Sequence, residues 1–532
     1  MLVLKKIRQL FAKYPSDTGV HPDSFKELIS CTSKLKTNGH RLAVQSVSDK
    51  FYFLLFGAIC ARMKKYVATQ PELIIVRSVN GSVGTGWIAE LKRSAPIAWL
   101  WSKPWQRAYG ELISGVAFRC ATWGHPLHDL ADWLTSKKIW LDFQKQTSEL
   151  SLRIKSIEVA DLIIDSYLRF KPSPQFDAKN PFTRRLIWQA LRDLRQADAY
   201  FRRAKPLWYF TSYTTYLEHG IPVRVALRHG VEVWSFGSLS RFSKKLTLTD
   251  TFHTPDFSSY RSDFATLDKQ EERLEAAKQQ LETRLSGGID DATSYMRRSA
   301  YGLTQSQLPA GLKDSAIIFL HDFYDSPHVY PDLVFHNFWS WTCTTIETLQ
   351  KADIPFFLKP HPNQIPQSDE VIKRLQLQYP DLRWLPSNIS NVQLAKAGIA
   401  CGITVYGTVA HELAYLGIPS IGCARHPHHT FDFCRTARTQ AEYEGLLKTH
   451  AKLPVPIDEM KQQALAFYYM HNLHGELNEK ELTRAFVSFW TACNIGNGTE
   501  EEVLNSFQAL IQLPAFYHFI EALALRGITK LN

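Results

Sequence analysis

Apolar and polar positions alternate along the chain in two strand–helix series, each bordered by helical sequence. Residues 1–70 carry helical patterning, and within them 51–63 are apolar almost all round, as a buried helix requires. The β-branched run Glu72-Leu-Ile-Ile-Val76 has the length of a buried strand. It leads into Asn80-Gly-Ser-Val-Gly-Thr-Gly86, a flexible glycine-rich turn, and residues 98–101 are predicted as another strand. Further strands are predicted at 159–164, 207–211 and 231–234, with a helix at 221–229. Strand, turn, helix and strand in succession predict a parallel α/β sheet.

Residues 268–285 are rich in Glu, Lys, Gln, Ala and Leu, the composition of a solvated amphipathic helix. Gly287-Gly288 breaks it, and a connector runs to about residue 313. A second series follows, with strands at 316–320, 355–358, 398–404 and 419–422 and helices at 333–351, 369–378 and 409–416. The tail from 456 to 532 is helical in pattern, and no internal repeat or low-complexity tract appears. The expected fold class is α/β and GT-B-like, with two Rossmann-like domains facing a cleft and helical extensions at both ends. The boundaries expected are 1–295 for an acceptor-side domain, 314–455 for a nucleotide-sugar domain and 456–532 for the tail.

At 532 residues the chain exceeds one ordinary core. Its 45% hydrophobic and 21% charged residues exclude disorder as the main state. The 14 Trp offer rings for sugars, though a large core uses them too. Sixty-two Lys and Arg against 51 Asp and Glu leave a charge of +11, which favours anionic partners. The basic residues are dispersed, so nucleic acid is not expected as a partner. Eight cysteines without a Cys-x-x-Cys pair suit a reduced, cytoplasmic protein. No secretory pattern opens the chain, and the apolar stretch 51–62 is too short to span a bilayer. Membrane contact is therefore expected to be peripheral, at the inner membrane. His426-Pro-His-His429 suggests a metal cluster but lacks a second ligand group at standard spacing, so loop histidines near the nucleotide are expected there and no metal.

Three segments carry candidate chemistry. The first spans residues 402–419 and puts a small, polar, Gly-containing turn between a strand and a helix. Backbone N–H groups and the positive helix end would converge there on a phosphate, with Thr404, Gly407 and Thr408 in the turn and His411 and Glu412 in the first helical turns. The Glu412 carboxylate has the acceptors to bind both hydroxyls of a ribose, or it simply complements the helix dipole. The second is Lys359-Pro-His-Pro362 at a strand end, where ligands bind in open α/β sheets. Its prolines fix the turn, so His361 either donates to a phosphate oxygen or caps its own loop. The third is His321-Asp-Phe-Tyr-Asp-Ser-Pro-His328, again after a strand. Sugar transfer needs a carboxylate as base or nucleophile, and Asp322 and Asp325 are both candidates. Turn formation explains the same residues equally well.

Taken together, Lys359-Pro-His-Pro362, Thr404-Val-Tyr-Gly-Thr-Val-Ala-His-Glu412 and Gly417-Ile-Pro419 resemble the C-terminal domain of bacterial capsule and lipopolysaccharide glycosyltransferases. These include β-Kdo transferases and other HP-motif enzymes using CMP-sugars and, more loosely, CDP-glycerol polyol-phosphate transferases. The resemblance covers roughly residues 314–440. It implies a metal-independent glycosyltransferase without a cofactor, whose partners are a CMP-linked donor such as CMP-Kdo and a glycan or lipid-linked acceptor. It also implies that Lys359, His361, Thr404, Gly407, Thr408, His411 and Glu412 bind nucleotide. The family's covalent nucleophile, an Asp after the first strand of this domain, falls on Asp322 or Asp325, since 321–326 departs from the family's acidic run.

In the first half, Asp165, Ser166 and Arg169, together with Ser212, Tyr213 and Tyr216, follow predicted strand ends. They are the acceptor-side candidates, with Arg224 and His229 beside them, although capping or surface charge accounts for each as well. Two other functions suit the same residues: transfer of a polyol phosphate from a CDP-polyol, and non-catalytic binding of a nucleotide sugar or glycan.

Overall fold

The structure, a computed structural model, describes residues 40–45, 50–75, 117–120, 126–146, 151–171, 173–296, 307–362, 364–494 and 499–529. Two compact units emerge: one from Met1–Lys171, Asp177–His253 and Glu476–Asn532, the other from Pro172–Phe176 and Thr254–Gly475. This division differs from the expected boundaries. Residues 254–295 go with the second unit, and the tail from Glu476 goes with the first.

The first unit contains β1 (His40–Gln45), β2 (Thr69–Ile75), β3 (Ala117–Cys120), the small ladder β4 (Arg153–Ile154) and β5 (Ile157–Glu158), then β6 (Trp208–Thr211), β7 (Glu232–Phe236) and β8 (Ser243–Leu246). The main sheet has the order β3-β2-β1-β6-β7-β8. Every pairing in it is parallel except β7 with β8. With the ladder set aside, this is the 3-2-1-4-5-6 order of doubly wound nucleotide-binding sheets, whose switch point lies between the first and fourth strands. Leu42, Val44, Trp208 and Phe210 pack with Phe56 and Ile59 of helix Lys50–Tyr66, and with Phe486, Phe507 and Ile520 of the C-terminal helices. The helical tail thus completes the core of this unit.

Two expectations need correction here. Residues 159–164 are not a strand but lie in helix Ala160–Phe170 together with its N-cap, Val159. Ala160, Leu162, Ile163 and Ile164 are all buried, and so short an apolar run does not by its pattern alone separate helix from strand. Residues 40–45, inside the segment expected to be helical, form β1. The expected turn at 80–86 and strand at 98–101 lie outside the described residues.

The second unit contains β9 (Ala316–Phe319), β10 (Phe356–Lys359), β11 (Cys401–Ile403), β12 (Ser420–Gly422) and β13 (Cys434–Thr436), in the order β10-β9-β11-β12-β13. All four pairings are parallel. This is the 2-1-3-4-5 order, with its switch point between β9 and β11. Both faces are buried, as parallel sheets require: Ile318, Leu358 and Ile403 pack in one cluster and Ile317, Phe357 and Leu413 in another. Helix Val409–Tyr415 lies so close to β11 that a Cβ on Gly402 would stand 2.3 Å from Leu413 Cδ1.

Candidate functional site

At the switch point of the second unit, the carboxyl ends of three strands deliver polar side chains to one cavity of about 190 Å3. His321 follows β9, Lys359 ends β10 with His361 just beyond it, and Thr404 follows β11. Gly407, Thr408 and Glu412 complete that side, and Arg284 and Asn391 line the cavity from neighbouring elements.

The turn after β11 is built around Thr404, which is 1% exposed. Its Oγ1 accepts from Gly407 N–H at 3.0 Å and lies 3.1 Å from His321 Nε2. Val405 N–H also points at that ring nitrogen, at 3.4 Å. Nε2 is therefore the acceptor and the proton sits on Nδ1. Burial, assisted by the neighbouring His361, pulls His321 down to about 3, so the ring is neutral, stacked on Phe338 with centroids 4.8 Å apart.

The turn itself has less spare anion-binding capacity than the sequence suggested. Helix Val409–Tyr415 has only 7 residues. The Gly407, Ala410 and His411 amides already donate to Thr404 Oγ1, Gly407 O and Thr408 O. The cations beside the cavity are Lys359 and Arg284. Lys359 is buried, donates from Nζ to Ser387 O at 2.8 Å, and is pulled by burial to about 8, with Glu412 opposing the shift. Burial also lowers the pKa of His361, opposed by the charge of Asp322.

Glu412, 4% exposed, accepts from Asn391 Nδ2 at 2.6 Å through Oε2, and its Oε1 stands 3.4 Å from Arg284 Nη1. Sequence reasoning missed both partners. Asn391 lies inside the capping box of Ser390 and Gln393, whose pattern marks a helix start and nothing more. Arg284 is one of several charges on helix Gln270–Leu285, with no local signal to set it apart.

The remaining candidates lie elsewhere. Asp322 is a clamp: Oδ1 accepts from Tyr324 N–H at 3.1 Å and Ser368 Oγ at 2.9 Å, and Oδ2 accepts from Ile365 N–H at 2.8 Å. It thereby ties the loop after β9 to the start of helix Pro366–Gln378. Asp325 is exposed and accepts from Ser326 N–H at 2.9 Å. Neither carboxylate lines the cavity, nor does His411, which is 1% exposed and packs on Phe467 and Tyr468.

In the first unit, Ser212 and Tyr213 follow β6 at the switch point. Gln45 Oε1 accepts from Ser212 N–H at 3.0 Å, Ser212 Oγ at 3.1 Å and Thr211 Oγ1 at 2.9 Å. Tyr213 stands edge-on to Tyr52 and His253. Asp165 and Arg169 instead belong to helix Ala160–Phe170, the first buried and the second exposed. Ser166 Oγ accepts from Leu217 N–H, and Tyr216 packs edge-on against Phe170. Arg224 pairs with Asp161 through both terminal nitrogens, and His229 pairs with Asp198 at 2.9 Å.

A larger cavity of about 1210 Å3 in the second unit is lined by Arg425, Cys434, Arg435 and Thr436 among others. It holds none of the candidate nucleotide residues. The smaller cavity is the better functional candidate, because it lies at the switch point and gathers groups of complementary chemistry.

The chain matches no protein-family model and no curated protein. Among solved structures it is similar to the β-Kdo 2,4 transferase KpsC of Thermosulfurimonas dismutans, with 11% identity, 48% of this chain and 78% of that one covered, and a TM-score of 0.28. It is also similar to UDP-GlcNAc 2-epimerase from Neisseria meningitidis, with 8% identity, 92% and 99% covered, and a TM-score of 0.22. A third similar structure is the wall teichoic acid polymerase TagF, with 10% identity, 92% and 97% covered, and a TM-score of 0.20. At these TM-scores the likenesses carry no argument about what this chain does.

Proposed function

We propose that this chain is a GT-B glycosyltransferase that moves a sugar, Kdo or another ulosonate, from a CMP-sugar to a growing surface polysaccharide or lipid-linked glycan. The observation that carries this reading is the meeting of Lys359, His361, Thr404 and Glu412 in one cavity at the switch point of a parallel sheet. A nucleotide needs a cation for its phosphate, hydrogen-bond donors beside it, and a carboxylate for its ribose.

In this reading Lys359 supplies charge to the phosphate, and His361, neutral near pH 7, donates a hydrogen bond to it. Glu412, oriented by Asn391 and Arg284, offers carboxylate acceptors to the ribose hydroxyls. The cavity is smaller than the roughly 300–1,000 Å3 usual for whole ligands, so the sugar extends beyond it. The bond from the anomeric carbon to the phosphate oxygen breaks with its electron pair on that oxygen. Lys359 and His361 stabilise the departing charge. The acceptor hydroxyl oxygen forms the new bond and its proton passes to a carboxylate. Asp325, the exposed one of the pair, suits that role. Asp322, already accepting three hydrogen bonds, positions the loop. Ser212 and Tyr213 are the acceptor-side residues retained. No cofactor or catalytic metal takes part, and the acceptor is met in the cytoplasm at the inner membrane face; no described helix is long and apolar enough to cross a membrane.

The test is a thermal-shift screen against CMP, CDP, UDP, GDP and ADP. A ligand at a hundred times its Kd stabilises by about 2.7 kcal/mol. A shift with CMP that disappears in His361→Ala and Glu412→Ala supports the reading. A shift with UDP or GDP alone removes the CMP assignment, and no shift with any nucleotide removes the transferase. A phosphodiester rather than a glycosidic bond in the product would identify polyol-phosphate transfer instead.

A further inference from the structure

The histidines at 426 and 428 are separated from Cys434 by five residues and a loop, a spacing that matches no standard ligand pattern. The fold nevertheless brings them together. Cys434 is fixed as the first residue of β13 by its register with Ser420 of β12. The loop before it turns back on itself: His429 N–H donates to His426 O and Phe431 N–H to His428 O, both at 3.0 Å. As a result a ring nitrogen of His426, one of His428 and the Cys434 sulfur all lie within 4.8 Å of one another. The three residues are 0%, 1% and 4% exposed.

Their hydrogen bonding is incomplete in a telling way. His426 Nε2 pairs with Thr436 Oγ1 at 2.9 Å, while its Nδ1 is buried with no hydrogen-bond partner among the described residues. Both ring nitrogens of His428 are in the same condition. Buried polar atoms are rarely left so, and here they gather at one point beside a thiol. We propose that His426, His428 and Cys434 form a structural site for a zinc-type transition-metal ion, with His426 ligating through Nδ1.

Two imidazoles and a thiolate are the donor set that zinc accepts. Zn–N bonds of about 2.0–2.1 Å and a Zn–S bond of about 2.3 Å at tetrahedral angles need donor separations of roughly 3.3–3.7 Å, so the sulfur must draw in while the two rings, now 3.6 Å apart between centroids, turn to aim their nitrogens at the ion, and a water takes the fourth position. Thr436 holds the second nitrogen of His426, as partners outside a metal site do for ligating histidines. Burial keeps both rings neutral, the ligating form, with His426 drawn down to about 3. It also pushes the Cys434 thiol up to about 12. Binding therefore displaces the thiol proton to solvent, the sulfur keeps its electron pair to form the bond, and nothing is oxidised or reduced. The ion has a route in, because Cys434 and Thr436 also line the cavity of about 1210 Å3. None of the three residues lines the candidate nucleotide cavity, so the ion would pin the β12–β13 loop to the sheet and take no part in transfer.

The experiment uses the full chain, stripped with a chelator and titrated with Zn2+ and Co2+. One equivalent of either ion is expected to bind, releasing about one proton, with Co2+ producing a thiolate-to-cobalt charge-transfer band and Zn2+ raising Tm. Cys434→Ser should abolish that band and His428→Gln should lower metal affinity 10-fold or more, while His429→Ala should keep both. Should the variants fail to fold, the wild-type cobalt spectrum decides alone. Absence of stoichiometric metal, a spectrum without thiolate ligation, or an unchanged spectrum in folded Cys434→Ser would overturn the site. Nucleotide binding, measured separately with the metal present and removed, does not bear on this result.

Discussion

Asn391 Nδ2 donates to Glu412 Oε2 across 2.6 Å, and both residues are almost wholly buried. The carboxylate beside the cavity is thus oriented by a helix that begins 21 residues earlier in the chain. A charge-assisted hydrogen bond of this kind is worth about 1.5–3 kcal/mol. Asn391→Leu should lower stability by that amount in urea denaturation and weaken CMP binding at least 10-fold by leaving Glu412 misoriented. Unchanged affinity in a folded Asn391→Leu protein would separate Glu412 from nucleotide binding.

Gly407 is required for a steric reason. A Cβ there would stand 2.7 Å from Thr404 Oγ1 and 3.4 Å from Val409 Cγ1. Thr404 has no room to yield, since it is buried and held by His321 and by Gly407 N–H. Gly407→Ala should cost about 1–3 kcal/mol, as overpacking does, and displace the Thr404 hydroxyl from the cavity. Titration with CMP should show at least a tenfold loss. An alanine variant that binds as tightly as wild type would show that the turn does not touch the ligand.

The strands of the second unit were legible because runs such as Ile317-Ile318 and Phe356-Phe357-Leu358 are short, apolar and bounded by Asp, Pro or Lys, which leaves a buried strand as the natural reading. The Lys359, His361, Thr404 and Glu412 set was legible for a related reason: each follows a strand end or opens a helix. The apolar run from Leu162 to Ile164 has the same local look, yet it lies in a helix enclosed by the first unit, and pattern alone does not separate the two. What the sequence could not display was pairing across long separations. Arg284 reaches Glu412 across 128 residues, and Cys434 joins His426 through strand register. The same limit hid the clamp at Asp322, whose three donors come from 324, 365 and 368.

A buried network behind the cavity sets a control; its Trp341 stands edge-on to His321, with ring centroids 5.9 Å apart. Tyr443 OH accepts from Trp341 Nε1 at 2.7 Å and lies 2.7 Å from Thr345 Oγ1, all three residues being fully buried. Tyr443→Phe leaves the indole N–H without an acceptor, which should cost about 1–3 kcal/mol. Urea denaturation should register that loss while CMP affinity stays within twofold of wild type. A loss below about 0.5 kcal/mol would mean that water or a shifted side chain replaces the hydroxyl.

The two aspartates after β9 should separate cleanly. Asp322→Asn confronts three donors with one fewer acceptor and should destabilise the fold by about 1–3 kcal/mol. Asp325→Asn, at an exposed position, should stay within about 0.5 kcal/mol of wild type. If Asp325 is the base, its variant should lose transfer by about 100-fold or more while keeping CMP affinity. Full activity in Asp325→Asn, measured on product formed per minute, would remove it from the mechanism.

Lys359 should leave a signature in the dependence of stability on pH. Its folded pKa is about 8 against an ordinary 10.5, because burial penalises the ammonium. Between those values the unfolded chain binds more protons than the folded one, so unfolding free energy rises with pH. The contribution is complete above 10.5 and is lost as pH falls through 8, and its full span is on the order of 3 kcal/mol. Urea denaturation at pH 7, 8, 9 and 10 should therefore show wild type gaining stability relative to Lys359→Met, a variant of similar length that carries no charge to bury. The comparison cancels the tyrosines and cysteines that titrate over the same range. A bound phosphate group changes the balance, because an anion beside the ammonium raises its pKa and narrows the window. Saturating CMP should flatten the difference between the two proteins if the phosphate sits against Lys359. Parallel curves without nucleotide would mean that the ammonium is solvated in the folded protein. Curves that diverge without CMP and are unaffected by it would place the phosphate elsewhere.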